Sequence, residues 1–413
     1  MFQNFESLLI WIVSIEHIHL AIYIMFLIAI LVSERSPETI VAWIFTITVF
    51  PVFGFILYLV FGINWRKNRI ESLKNKNRRS LFKGFPSLTK NFLKYDPAEI
   101  FHSRKVKPED LDILMNNAGI SQEESEIVKL LYASEGTYLT HNSSYEMFYN
   151  GKEAFDSIIQ DLENAKETIY MEYFVWKSDK LGEKIKDILV KKAKEGVKIR
   201  LLFDGMGSFG TISEKYRKEL LKVGVEFKYF LDIKFALLKF NYRNHRKMTI
   251  VDNRILHTGG MNLGEEYITG GRRFESWRDT NVRIQGELVL HYLAIFVTDW
   301  LNSGGKQDFN MDDIEEVIEE HKNLRNESPY IMQVSSSGPD TIWTTLKYTY
   351  SKFITSAKEE ILIQSPYFIP DTSLVSQLKI AALSGVKIKL MIAGVPDKKI
   401  PYWIAETYFE ELL

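Results

Sequence analysis

The 413-residue sequence contains no cysteine. That excludes a thiol nucleophile, a thiolate metal site and a disulfide framework. An excess of either charge is also missing, since 52 lysines and arginines stand against 53 aspartates and glutamates. No global basic field is therefore available to grip nucleic acid. Charge is absent altogether from Ile40 to Ile63, IVAWIFTITVFPVFGFILYLVFGI. What the chain does have is apolar mass, 46% hydrophobic and 13% aromatic. This supports a sizeable core in a chain long enough for two or three units.

The uncharged run would extend roughly 36 Å as a helix at ~1.5 Å per residue, enough to cross a bilayer. Pro51 and Gly54 would break a soluble helix but are tolerated in membrane helices. A shorter apolar run, Ile18–Val32, predicts a first span. Phe5–Ile15 is placed at the interface, because Glu16 and His17 would be costly in mid-membrane. A secretory signal peptide fits less well, for want of a basic leading region and a small-residue cleavage site. The loop Ser33–Thr39 carries Arg35 alone, whereas Arg66, Lys67, Arg69, Lys74, Lys76, Arg78, Arg79 and Lys83 follow the second run. The positive-inside rule then puts everything after it in the cytoplasm, and the same stretch would attract anionic headgroups. The expected organisation is a membrane anchor with two transmembrane helices over 1–65 and a basic juxtamembrane linker over 66–130.

From about Leu131 the pattern alternates between strand and helix. Thr168–Val175 reads as a strand, Leu181–Lys194 as an amphipathic helix and Val197–Phe203 as a buried strand closed by Asp204-Gly205. This order indicates an α/β fold with a mixed sheet. The pattern recurs. Ala165-Lys166-Glu167-Thr168-Ile169 matches Ala357-Lys358-Glu359-Glu360-Ile361, 192 residues on, and Gly196-Val197-Lys198-Ile199 matches Gly385-Val386-Lys387-Ile388, 189 residues on. A repeat at that spacing predicts two related lobes.

In the first lobe, His245, Lys247 and Thr249 alternate with apolar Met248 and Ile250. Period-two alternation marks a half-buried strand with His245 and Lys247 on one face, one pleat apart. Asp252-Asn253 reads as a turn, with Asp252 tying down a hairpin. The chain returns into Gly259-Gly260-Met261-Asn262, where paired glycines allow close approach of an anion and Asn262 can donate to it. Asp279 could accept from one nitrogen of His245 and fix its tautomer.

His245-x-Lys247-x4-Asp252 followed by Gly259-Gly260-x-Asn262 resembles the phospholipase D superfamily, and within it the bacterial cardiolipin synthases. The likeness extends to Arg35-Ser36-Pro37, Phe61-Gly62, Glu172-Tyr173, Asp204-Gly205, Gly207-Ser208 and Ser365-Pro366-Tyr367-Phe368-Ile369-Pro370-Asp371. It implies phospholipase D-like α/β/α sandwich lobes, a first over 131–330 and a partial second over 331–413. It implies catalytic residues His245, Lys247 and Asp252, with Gly260, Asn262 and Asp279 binding or orienting the substrate. His245 would attack a lipid phosphorus to form a phosphohistidine, and neither a metal nor another cofactor is implied. The implied reaction is transfer of a phosphatidyl group between two phosphatidylglycerol molecules at the cell membrane, giving cardiolipin and glycerol. Hydrolysis by a phospholipase D-type enzyme, or an inactive membrane protein, stay open as alternatives.

The chain departs from the family pattern in one respect. His17, His19, His102, His141, His257, His291 and His321 lack a lysine two residues on, so the sequence holds one His-x-Lys. The repeat spacing would put a second near residue 435, past Leu413. The expectation is a truncated copy that does not turn over as a monomer. A homo-oligomer pairing two first lobes could rebuild a site, although the partial second lobe would obstruct it.

Overall fold

The computed structural model describes residues 20, 22–31, 33, 37–62, 115, 119–135, 137, 139–230, 243–271, 274–306, 308–309, 316–317, 320, 330–338 and 343–412. Phe5–Ile15 and the basic stretch from Arg66 to Lys83 lie outside the described residues. The chain divides into a unit of residues 1–67 with 231–243, and a second unit formed by the remainder.

In the first unit the uncharged run is not one straight helix. Helix α1 (Pro37–Val49) ends at Phe50, whose φ of −127° and ψ of 72° leave helical space, and α2 (Pro51–Leu57) continues into a π-helical turn, Tyr58–Gly62. Proline at the first position of α2 has no N–H to continue the ladder of α1. The chain then folds back. Trp43 meets Tyr58 edge to face at 5.4 Å between ring centroids, and a Cβ on Gly54 would overlap the carbonyl of Thr46. Among the described residues no helix is long and apolar enough to cross a membrane. The expected single span Ile40–Ile63 is thus replaced by two short helices, because Pro51 ends one and Gly54 lets the other pack closely against it. Ile30, Ile47 and Tyr58 form a small core, while Val41, Phe45, Val49, Val52, Phe53 and Ile56 are exposed.

The second unit carries an eight-stranded sheet in the order β4-β3-β2-β5-β6-β7-β1-β8. The strands are β1 (Thr140–Asn150), β2 (Thr168–Tyr173), β3 (Lys198–Asp204), β4 (Glu226–Phe230), β5 (Lys247–Val251), β6 (Ile255–Gly259), β7 (Arg278–Gly286) and β8 (Tyr330–Met332). Strands β2, β3 and β4 run parallel and the rest pair antiparallel, so the sheet is mixed as expected. Helix α3 (Gln122–Glu135) precedes the sheet and straddles the expected end of the linker.

Helices α4 (Gly151–Asn164) and α5 (Lys180–Lys194) bury Phe155, Ile158, Leu162, Ile185 and Leu189 in one core with Ile169, Met171, Tyr173 and Val251 of the sheet. Each fully buried aliphatic side chain there contributes about 1.5–3 kcal/mol. The helices start where the sequence offers caps, Asn150 accepting from the Glu153 N–H and Asp179 from that of Gly182. Ser213 caps α6 (Glu214–Lys222), the second parallel crossover, in the same way. The opposite face of the sheet meets helix α8 (Leu288–Asn302), where Phe296 stacks on Tyr170 of β2 at 5.1 Å. The short helix α7 (Glu266–Thr269) lies between β6 and β7.

The repeat is structural. Helix α9 (Thr345–Ser356), β9 (Glu360–Gln364), α10 (Thr372–Leu383), β10 (Lys387–Met391) and α11 (Lys399–Leu412) follow the order of α4, β2, α5, β3 and α6. Ile169 pairs with Ile199 as Ile361 pairs with Ile388, both in parallel. Asp371 caps α10 as Asp179 caps α5. Gly196 and Gly385 leave their helices at φ of 95° and 94°, conformations that favour glycine. Ile354, Phe368, Leu378, Val386 and Ala405 are the core of this second set.

Candidate active site

Strand β5 delivers the His-Lys pair. Lys247 opens the strand opposite Tyr173, and Thr249 behind it shares a hydrogen bond with the Tyr173 hydroxyl at 2.9 Å. His245 lies two residues earlier, in the irregular segment 243–246 before the strand, and β5 is buried along its whole length rather than half-buried as expected. The ring of Phe174 touches both: its centroid is 4.8 Å from that of His245 and 5.5 Å from the Lys247 Nζ. Lys247 is buried, and its ammonium donates to the His245 carbonyl at 2.7 Å. Burial lowers its pKa to about 8, against the pull of Asp279. His245 is open to solvent. Partial desolvation of the ring and the Lys247 charge push its pKa below 6.5, opposed by Asp204. At neutral pH the pair is thus a neutral imidazole beside a mostly charged ammonium, the states that nucleophilic attack on a phosphodiester needs.

The glycine turn is built by close packing. The Gly260 N–H donates to the Thr280 carbonyl at 2.9 Å, and a Cβ on Gly260 would overlap the Asp279 carboxylate. A Cβ on Gly259 would overlap the Thr280 carbonyl. The close approach expected for an anion is thus made to β7. Asn262 accepts from the Val175 N–H at 3.0 Å and donates to the Tyr267 hydroxyl at 3.1 Å, which fixes the end of β2 against the turn. One amide hydrogen of Asn262 is left over for a ligand. Asp279 accepts from the Thr280 N–H at 2.7 Å, and its pKa is raised by burial despite that bond and the nearby Lys247 and Arg278. Its carboxylate faces Lys247. Among the described residues the His245 imidazole has no hydrogen-bond partner.

Asp252 lies away from these groups, five residues along the strand from Lys247 and about 17 Å in extended chain. Its carboxylate accepts from the N–H groups of Lys166, Glu167 and Thr168 at 2.8–2.9 Å. Asp252 and Asn253 both have positive φ, 50° and 55°, as a tight hairpin requires. Asp252 is therefore a structural clamp on the loop before β2, and its inclusion among catalytic groups is corrected by that geometry.

A buried polar cluster beneath His245 is less visible in the sequence. Asn244 donates its backbone N–H to Asp204 at 2.9 Å and its amide to Glu172, while Arg246 pairs with Asp299 of α8. Glu172, Asp204 and Asp299 are all buried. Burial raises the pKa of Glu172 to about 7, against the opposing charge of Arg246 and the Asn244 hydrogen bond. Glu172 and Asp204 sit at strand ends that the sequence marks. The signal for Asp299 is the one acid in the run Leu288–Leu301, which is apolar apart from His291, Tyr292 and Thr298.

Comparison with known proteins gives this arrangement its relatives. A family profile described as "Cardiolipin synthase, PLD-like domain" matches residues 158–300 and 350–413, spanning His245 to Asp279 and the second copy of the repeat. Cardiolipin synthase 2 of Bacillus anthracis is 35% identical over 386 residues, 93% of this chain and 70% of that protein. The chain belongs to the cardiolipin synthase family. The major cardiolipin synthase ClsA of Bacillus subtilis (strain 168) is 32% identical over 413 residues, 100% of this chain and 80% of that protein. Residues 21–62 match a second profile, described as "Phospholipase_D-nuclease N-terminal". Among solved structures, phosphatidylserine synthase of Haemophilus influenzae Rd KW20 aligns with a TM-score of 0.48 and 14% identity, covering 70% of this chain and 75% of that one.

Proposed function

We propose that this chain is a cardiolipin synthase in which His245 carries the phosphatidyl group. The observation that bears most on this is the pairing of a neutral, accessible imidazole with the buried ammonium of Lys247 around the Phe174 ring. An imidazole nitrogen attacks the phosphorus of phosphatidylglycerol, an N–P bond forms, and the P–O bond to the glycerol headgroup breaks. The departing glycerol oxygen takes a proton. A hydroxyl of a second phosphatidylglycerol then attacks the phosphohistidine, loses its proton and restores the imidazole. Lys247 neutralises a non-bridging oxygen, the free amide hydrogen of Asn262 reaches another, and Asp279 balances the buried charge of Lys247.

The substrates are lipids, and the first unit suits them. Its exposed Phe45, Phe53 and Ile56 form an apolar face that water disfavours and lipid accepts. We place the apolar runs Ile18–Val32 and Ile40–Ile63 in the bilayer, with the loop Ser33–Thr39 between them outside it and the basic stretch 66–83 on the cytoplasmic side. The test is incubation of membranes containing the protein with headgroup-labelled phosphatidylglycerol. Cardiolipin and free glycerol in equal amounts, both lost in His245→Ala, are expected from a homo-oligomer in which two first lobes complete the site. Phosphatidic acid with glycerol and no cardiolipin would replace transfer by hydrolysis.

A further inference from the structure

His245 is held without any hydrogen bond to its imidazole among the described residues, so its direction must come from the backbone that bears it. Both neighbours of His245 are fastened below the site. The Asn244 N–H donates to Asp204 at 2.9 Å, its carbonyl oxygen Oδ1 accepts from the Arg246 N–H at 2.9 Å, and its Nδ2 donates to Glu172 and, at 3.5 Å, to Asp299. Arg246 returns to Asp299 through its guanidinium. The Asn244 backbone N–H and its buried side-chain amide together link the chain on either side of His245 to three buried carboxylates on β2, β3 and α8. We propose that Asn244 is a positioning residue that aims the His245 imidazole at the phosphorus by locking residues 244–246 onto Glu172, Asp204 and Asp299. The proposal rests on His245 being the nucleophile.

The chemistry of the junction is selective. An amide of this size both accepts from Arg246 and donates twice into the carboxylates, whereas an aspartate accepts only. Among the described residues the second oxygen of Glu172 is buried with no hydrogen-bond partner, and the contact with Asn244 is the one hydrogen bond that holds this carboxyl group. Glu172 and Asp299 meet one cation, Arg246, so a third acid in their midst is opposed by like charge. Asn244→Asp should therefore loosen residues 244–246, and Glu172→Gln beside it should restore a hydrogen bond of reversed polarity.

The experiment measures single-turnover labelling of His245 by phosphatidylglycerol in the membrane-bound protein, with thermal melting and KM taken in parallel. Asn244→Asp should slow labelling about 100-fold, the cost of a misplaced reacting group, with KM close to the parent and melting lowered by the added buried charge. Asn244→Asp with Glu172→Gln should regain about tenfold, as coupled neighbours do. Asn244→Asp labelling at the parent rate overturns the proposal, as does a folded double variant with no recovery. Where Asn244→Asp does not fold, Asn244→Ser replaces the two amide donors by one shorter hydroxyl, and labelling at the parent rate by this variant likewise overturns the proposal. Failure of the nucleophile reading is separate: the parent protein would make cardiolipin with no label on His245.

Discussion

Raising the pH should switch off transfer to His245 near pH 8 rather than near the ordinary lysine value, because burial lowers the pKa of Lys247 to about 8. About ten of every eleven Lys247 side chains carry charge at pH 7, and about one in eleven at pH 9. The ammonium that opposes the phosphate charge is thus lost about tenfold per pH unit on the alkaline side. His245 sets the acid side. Its pKa is pushed below 6.5 by partial desolvation and by Lys247, so the imidazole is neutral at pH 7 and protonates only in more acid solution. The expected profile is a bell with its alkaline limb near 8. Lys247→Arg keeps a cation at every accessible pH. It should therefore remove the alkaline limb, even though a planar guanidinium in the place of an ammonium lowers the plateau. The assay is single-turnover labelling of the protein by phosphatidylglycerol between pH 5 and 10, with folding checked at each end. An alkaline limb above pH 10 in the parent, or one that stays near 8 in the arginine variant, would refute the reasoning.

The other expectations concern stability and attachment. The folded pKa of Lys247 lies below its unfolded value, so the unfolded chain binds more protons between pH 8 and 10.5, and this residue makes stability rise with pH across that window. Lys247→Met should accordingly raise stability at pH 7 by about 1–3 kcal/mol while abolishing labelling, and a lowered melting temperature would contradict this. Asp252→Ala removes the acceptor of three N–H groups and should cost about 1–3 kcal/mol in chemical denaturation, with the labelling rate of the folded protein unchanged. Gly260→Val forces a side chain into the Asp279 carboxylate and should cost at least ~1–3 kcal/mol, whereas an unchanged melting curve would mean the turn is looser than described. Phe45→Lys with Phe53→Lys puts two charges on the exposed apolar face, each opposed by about 2.5–3.5 kcal/mol in lipid. The protein should shift from the membrane pellet to the supernatant on fractionation, and no shift would count against lipid insertion there.

The sequence carries some of this plainly. Period-two alternation predicts His245 and Lys247 side by side, and Phe174 meets both although His245 lies before β5 begins. Ala165 with Gly196, and Ala357 with Gly385, mark the same helix ends twice, because a left-handed exit needs glycine in each copy. Asp252 is readable as a clamp because it falls at a turn. Partner choice across the chain is not readable. Asn262 and Asp279 look equally free to bind a phosphate or an imidazole, and the contacts with Val175, Tyr267 and Lys247 become visible once β2, β6 and β7 are side by side. The cluster of Glu172, Asp204 and Asp299 is joined by contacts 40 to 72 positions apart in sequence, beyond any local pattern. Hydropathy over Ile40–Ile63 reports apolarity and carries no information on direction. The reversal at Phe50 was signalled by Pro51 and Gly54, two residues that a membrane helix also accepts.

The most direct measurement is mass spectrometry of the protein quenched in base during reaction with phosphatidylglycerol, conditions under which a phosphorus–imidazole bond survives. The account predicts a phosphatidyl adduct on His245, absent from His245→Ala and diminished in Lys247→Met. Cardiolipin made with no adduct at His245, or an adduct on another residue, would contradict it.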